Sequence, residues 1–371
     1  MNYLNSILKN LKTKSTIAVS AVVIGASGLG LAIPLAAHAA GCAPTGFYKD
    51  GINLTAAAGY INPTSPVTGT VSATGCNIGV FYGPGTHGTV NNATITGSNY
   101  YGVVVQQANV NVENSNVNTI GETPLNGDQH GVGIYYATVT SGTATAQPAC
   151  ATTGSTRGTI NNNSVSTYQK AGIVANCTGT NVNIENNVVQ GQGPVDYIAQ
   201  NGIEIGVGAN AVVNNNLVTD NSYTGAGGAS SGGILAYGGA EYGGAYTTNT
   251  QITNNIVIGN DVGIWLSNIS ACGATTCTAA TSRTNIDVTG NTIANAGLNN
   301  TTGNSATQGY QAGISDQGDG DTIVGNTITG AGYNPASSGP SISTTWIDVS
   351  STNNVKLHNH NDFGYGSGKY F

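Results

Sequence analysis

Charge is scarce in this sequence. Only 7% of its 371 residues are Asp, Glu, Lys or Arg. Beyond residue 39 the bases are Lys49, Arg157, Lys170, Arg283, Lys356 and Lys369, scattered against sixteen acids. That argues against nucleic acid as a partner, because phosphate neutralisation needs clustered cations. Histidine is also rare, with five copies, and no C-x-x-C pair exists, so a zinc site is not expected. Apolar residues at i, i+3, i+4 and i+7 are missing, which excludes a helical repeat. Phe363, Tyr365 and Phe371 give the tail an aromatic end, yet no series of amphipathic strands precedes them, as a membrane barrel would require.

Long apolar runs are missing too, except one. Lys9, Lys12 and Lys14 precede the stretch from Ile17 to Ala36, which ends in Ala37-His38-Ala39. A basic start, an apolar middle and an A-x-A end predict a signal peptide over 1–39, cut after Ala39. Ser and Gly interrupt the run, which argues against a retained span. The expected location is therefore secreted, extracellular or periplasmic, the cell surface included, with no stable membrane span after cleavage. Ala39-Ala40-Gly41-Cys42 resembles a lipobox that lacks its usual Leu.

What the chain has in abundance is Gly, Asn, Thr, Ser and Val, arranged in repeats. A Gly-Ile or Gly-Val pair stands at Gly79-Val80, Gly102-Val103, Gly133-Ile134, Gly172-Ile173, Gly202-Ile203, Gly233-Ile234, Gly263-Ile264 and Gly313-Ile314. A second element, N-x-[VI] after an apolar residue, stands at Asn163-Val165, Asn187-Val189, Asn216-Val218, Asn255-Val257, Asn291-Ile293 and Asn326-Ile328. Copies at Val90–Ile95 and Val112–Val117 lack the Asn. The shortest spacings are 23 residues (Val80 to Val103) and 22 (Ile95 to Val117). Short β-branched runs at that period are coils of a parallel β-helix, and longer spacings are coils with inserted loops. The clearest insertions are 119–130, 138–157, 190–199, 220–231, 238–250, 267–283 and 294–311.

Over roughly 70–330 this pattern resembles the right-handed parallel β-helix superfamily, the pectate-lyase-like fold, and the Asn-x-Val half looks like its asparagine ladder. The resemblance implies an all-β fold: one solenoid of about eight or more coils, with a cap over 40–66, the helix over 67–330 and a cap or tail over 331–371. It is nearly silent on chemistry, because that family holds lyases, hydrolases, epimerases, adhesins and phage spikes. Cys42, Cys76, Cys150, Cys177, Cys272 and Cys277 allow fifteen pairings. Because a solenoid keeps contacts local, Cys42–Cys76, Cys150–Cys177 and Cys272–Cys277 are expected.

Alternation along each Gly-Ile strand assigns two outward columns. The first runs Tyr100, Gly131, Lys170, Gln200, Ser231, Asp261 and Gln311, two residues before the glycine. The second runs Val104, Tyr135, Val174, Glu204, Leu235, Trp265 and Ser315, two residues after it, with the glycines as a trough between. Hydroxyl partners beside aromatic faces suit a sugar. Tyr100, Gln200, Glu204, Asp261 and Trp265 are therefore the expected substrate-binding residues. Glu204 and Asp261 stand too far apart for the paired carboxyls of a glycosidase. A polysaccharide lyase or epimerase needs a base and a cation beside a uronate carboxylate. His130, Tyr135 and Lys170 are the candidates for those catalytic roles.

Asp316, Asp319 and Asp321 fall within six residues, and closely spaced carboxylates suit Ca2+, the one candidate cofactor. The competing reading is a tight turn. The Gly/Tyr segment 231–246 reads equally as a lip over the trough or as a self-association surface. The functional expectation is a protein that binds or modifies an extracellular polysaccharide or cell-surface glycan, lyase- or epimerase-like if catalytic. The alternative is a non-enzymatic, adhesin-like surface protein.

Overall fold

The computed structural model describes residues 41–225, 229–272, 277–299, 309–339, 342–349, 351, 353–357, 359–362 and 369–370. The expected signal peptide lies outside them. All described residues belong to one compact unit, Ala37–Phe371.

Parallel strands stack coil upon coil. One sheet gathers the Gly-Ile strands in chain order, from Ile78–Tyr82, Tyr101–Gln106, Val132–Ala137 and Ala171–Asn176 to Asn201–Gly206, Gly232–Gly238, Val262–Cys272 and Gly309–Asp316. Two further ladders carry the rest of each coil, as in Thr180–Glu185 followed by Val188–Val195. Their alternating Val and Ile point inward: Val182, Ile184, Val189, Val213 and Val218 join Ile173, Ile203 and Ile205 in a single buried core. Each such side chain contributes about 1.5–3 kcal/mol relative to exposure.

The consecutive asparagines make the bend between those two ladders. Asn162, Asn186, Asn215 and Asn254 hold positive φ, between 55° and 57°, a region that Asn tolerates and β-branched residues avoid. The next Asn turns inward, where its amide serves the adjoining coil. Asn187 Nδ2 donates to Asn216 Oδ1 (2.9 Å) and to the Ile160 carbonyl (2.8 Å), while its Oδ1 accepts from the Asn163 backbone N–H (3.0 Å). The same contacts continue through Asn255, Asn291 and Asn326. They run on past the expected boundary at 330 to Asn359. At the other end Ser115 stands in for the missing Asn, accepting from the Ala93 N–H and donating its own N–H to Asn163.

The strand Ile342–Val349 pairs with Gly309–Asp316, so the Gly-Ile sheet also extends beyond 330. At the N-terminal end Cys42–Lys49 and Ile52–Ala57 form an antiparallel hairpin, laid on the stack through Ile78. All three disulfides pair neighbours in sequence: Cys42–Cys76, Cys150–Cys177 and Cys272–Cys277. Cys42 Sγ is therefore committed to a disulfide, not left for a lipid. Among the described residues no helix is long and apolar enough to cross a membrane.

The glycines depart from the alternation expected of them. Ala171 and Val174 pack in an outer apolar cluster, whereas Ile173 and Ala175 lie in the interior. Gly172 shares the inward side with Ile173, so the alternation breaks at every Gly-Ile pair and the bends stack in register. A β-carbon on Gly133 would lie 2.6 Å from Val165 Cγ1 and 2.6 Å from the Gly172 carbonyl oxygen. The glycine column is thus a close approach between backbone and core, and the trough expected outside it does not exist.

Candidate functional site

Because of that break, the outer face of the Gly-Ile sheet carries a different set of side chains. The column two residues after the glycine is as expected: Val104–Tyr135–Val174–Glu204–Leu235–Trp265–Ser315 are successive partners across the coils. Beside it runs Ala137–Asn176–Gly206–Tyr237–Ser267, a column that the alternation did not single out. Gly206 leaves room for the Tyr237 ring, which would collide with any β-carbon there. Tyr242 meets Tyr237 edge-on at 5.2 Å and hydrogen-bonds Ser267 (2.7 Å). Tyr242, from the segment 231–246, therefore lies against this strip. Trp265 Nε1 reaches Gln317 Oε1 at 3.4 Å.

Tyr135, Leu235, Tyr237 and Trp265 are partly exposed, while Val104, Val174 and Glu204 are buried between them. Glu204 accepts from Asn201 Nδ2 at 2.7 Å. Tyr135 packs against Tyr101 (5.1 Å between rings), and burial pushes its hydroxyl up to about 12, even though Asn176 hydrogen-bonds it. It is a neutral donor at ordinary pH, not a ready base.

The first expected column faces elsewhere. Gln200 is fully buried, with Nε2 on the Tyr168 carbonyl (2.7 Å) and Oε1 on the Gln192 N–H (3.0 Å). It pins the inserted loop of its own coil. Gln311 does the same for the insertion before its own strand, through the Asn299 N–H and the Gly332 carbonyl. Asp261, 3% exposed, accepts from Ser222 Oγ, the Tyr223 and Ser231 N–H groups and Asn299 Nδ2. Burial nevertheless holds its carboxyl above the ordinary value. Position before the glycine proved to mark where loops leave the coil, and buried amides or carboxyls satisfy the loop backbone there.

His130, Lys170 and Tyr135 do not form a triad. His130 Nε2 lies 2.8 Å from Glu122 Oε1, and its ring stacks on Tyr100 at 3.9 Å. Lys170 Nζ donates to the Ala199 carbonyl at 2.9 Å. Among the described residues no hydrogen bond joins any two of the three.

The aspartate cluster also divides. Asp319 accepts from Ser351 and Asn353 and faces Arg283 at 3.6 Å, and those donors hold its carboxyl below the ordinary value. Asp316 and Asp321 are buried side by side. Burial first, then the Asp321 charge, raises Asp316 to about 8. Asp321 Oδ1 accepts from Thr284 (2.6 Å) and the Ile286 N–H (2.7 Å), while the protonated Asp316 is the donor on its other side. Asp319 thus takes its own donors, while Asp316 and Asp321 form a buried pair. Among the described residues the metal-compatible group is Glu122, Asp128 and His130. Its acids lie inside the insertion 119–130, which the repeat pattern does not orient. The Glu122-x5-Asp128-x-His130 spacing was the available signal.

On another side of the solenoid Ser166, Thr167, Gln190, Gln192 and Asp220 line an open polar cleft of about 450 Å³.

Residues 78–243 match the family described as "Right handed beta helix region". With the stacked parallel coils described above, the fold is a right-handed β-helix. Among solved structures it is similar to the Dettilon tailspike protein, at 13% identity and a TM-score of 0.39, over 85% of this chain and 69% of that one. It is also similar to PfbA, a surface adhesin of Streptococcus pneumoniae, at 11% identity and a TM-score of 0.28, over 83% and 75%. Neither likeness is close enough to carry function. No curated protein matches the chain.

Proposed function

We propose that the protein is exported and binds an extracellular polysaccharide or cell-surface glycan along the outer strip of its Gly-Ile sheet. The observation that carries this reading is the column holding Tyr135, Glu204 and Trp265, with Tyr237 in the column beside it and Tyr242 as its lip. Aromatic faces beside buried, pre-oriented acceptors are what a sugar ring with equatorial hydroxyls and axial C–H groups requires. Tyr135 and Trp265 are four coil steps apart, about 19 Å at the ~4.8 Å strand spacing. Several sugar units fit that length.

Binding without turnover is favoured over elimination. Lys170 is tied to a backbone carbonyl, His130 to Glu122, and Tyr135 is poorly acidic, which supports binding rather than the base-and-cation chemistry of a lyase or epimerase. Titration of the chain with neutral and uronate polysaccharides tests both readings. A binding protein gives saturable affinity that Trp265→Ala and Tyr237→Ala each weaken about tenfold, the equivalent of ~1.4 kcal/mol per aromatic contact. An unsaturated, ultraviolet-absorbing product from a uronate polymer would transfer the assignment to a lyase. Affinity unchanged in both variants would remove the strip as the site.

A further inference from the structure

The segment 121–131 brings two carboxylates and one imidazole to one point, beside Asn99 and Tyr100. We infer that Glu122, Asp128 and His130 form a site for a single transition-metal dication, Zn2+ foremost. One carboxylate oxygen from each acid and one ring nitrogen of His130 all lie within 4.8 Å of one another. Ligands at ~2.0–2.2 Å from a shared zinc span about that distance or less. The Nε2–Oε1 separation of 2.8 Å needs only slight opening, with the bridging proton leaving as the metal enters.

Two features separate this group from a chance meeting of surface acids. The first is the burial of the nitrogen ligand: His130 is 5% exposed, stacked on Tyr100, and its backbone N–H is held by the Asp128 carbonyl at 2.9 Å. A buried imidazole aimed at a carboxylate has lost most of its conformational freedom before any ion arrives. The second is an outer shell that orients the acids. Asn99 Nδ2 donates to Glu122 Oε1 (3.0 Å), and Asn99 is itself held by Asn77, which is anchored on Thr55. Asn126 Nδ2 donates to Asp128 Oδ2 (2.9 Å), and its Oδ1 accepts the Asp128 N–H. Gln169 fixes Asn126 from the next coil, through its Nε2 (3.0 Å). Such second-shell partners are the usual companions of a metal site.

The donor set decides the class of ion. Calcium takes six to eight oxygens and rarely a histidine. One imidazole with two carboxylates suits Zn2+, and a fourth position remains for water or a sugar hydroxyl. Asp128 is exposed, so the ion enters from its side. The metal would tie the two ends of the insertion together.

Calorimetric titration of the untagged, chelator-treated full chain with Zn2+ and Ca2+ tests the site. Visible spectra with Co2+ as a probe report the coordination. The expected result is one Zn2+ per chain, bound at least tenfold more tightly than Ca2+. Asp128→Asn and His130→Gln should each weaken binding tenfold or more, with circular dichroism unchanged for Asp128→Asn. Glu185→Gln, a distant acid, should have no effect. Zinc binding that Asp128→Asn leaves intact, or the absence of a stoichiometric Zn2+, would overturn the assignment.

Discussion

Gly133 lies against Val165 so closely that no other residue fits. A β-carbon on Gly133 would stand 2.6 Å from Val165 Cγ1, with the backbone of Gly172 equally near on the other side. Neither neighbour is a flexible chain end. Gly133→Ala should therefore destabilise the protein by about 1–3 kcal/mol, the usual cost of overpacking a core. Gly297, which has open space around its α-carbon, should accept Ala within about 0.5 kcal/mol. Thermal melting of the two variants makes the comparison.

Asn187 satisfies groups on both neighbouring coils. Removing its amide leaves the Ile160 carbonyl and the Asn163 N–H buried without partners. At about 1–3 kcal/mol per orphaned group, Asn187→Ala should cost on the order of 2–5 kcal/mol. Asn183, exposed on the adjoining strand, should tolerate the same change. Denaturant midpoints of the two variants would show it, and equal midpoints would deny the ladder its structural role.

Stability should fall as pH rises from about 4 to about 8. Asp316 has an ordinary value of 3.8 and about 8 when folded, so the folded state binds the extra proton between those limits. The stabilisation is complete below the unfolded value and lost as pH passes through the folded one. Asp321, facing Asp316, is shifted in the same direction by its burial. Asp319 is shifted the opposite way, so its contribution fades only below about 3.8, outside this window. Asp316→Asn should flatten the slope. A melting temperature that rises steadily from pH 5 to pH 8 would contradict the assignment.

Cys42–Cys76 closes a separation of 34 residues and Cys272–Cys277 one of 5. Chain-entropy arguments give the longer loop about 1.5 kcal/mol more stabilisation. Replacing Cys42 and Cys76 together by Ser should lower the melting temperature more than replacing Cys272 and Cys277. The reverse order would point to local hairpin geometry as the dominant effect.

The architecture was legible because its signals repeat. One Asn per coil, one Gly per coil and β-branched residues between them announce a period even when any single copy is degenerate. Local disulfides followed from the same logic. The glycine face was misread because alternation assumes an unbroken strand, and Gly133, Gly172 and their counterparts break it. Ala171 faces outward in consequence, whereas simple alternation turns it inward. Gln200, Asp261 and Gln311 were misread for another reason. A polar residue at the start of a strand looks solvent-facing in sequence, but here each is folded under an insertion whose path the sequence does not reveal. Glu122 and Asp128 lay inside such an insertion, where no periodicity exists to assign a direction.

The amide series from Asn163 to Asn359 gives the molecule a modular unit. Each rung bonds to the coil before and the coil after, and asks nothing of the number of residues between rungs. An insertion can therefore lengthen a loop anywhere without disturbing its neighbours, and a whole coil can be gained or lost with the rungs closing across the cut. A shift of one residue within a rung cannot be absorbed. Variation in proteins built this way should come in complete turns and in loops, with the spacing at the bend itself held fixed.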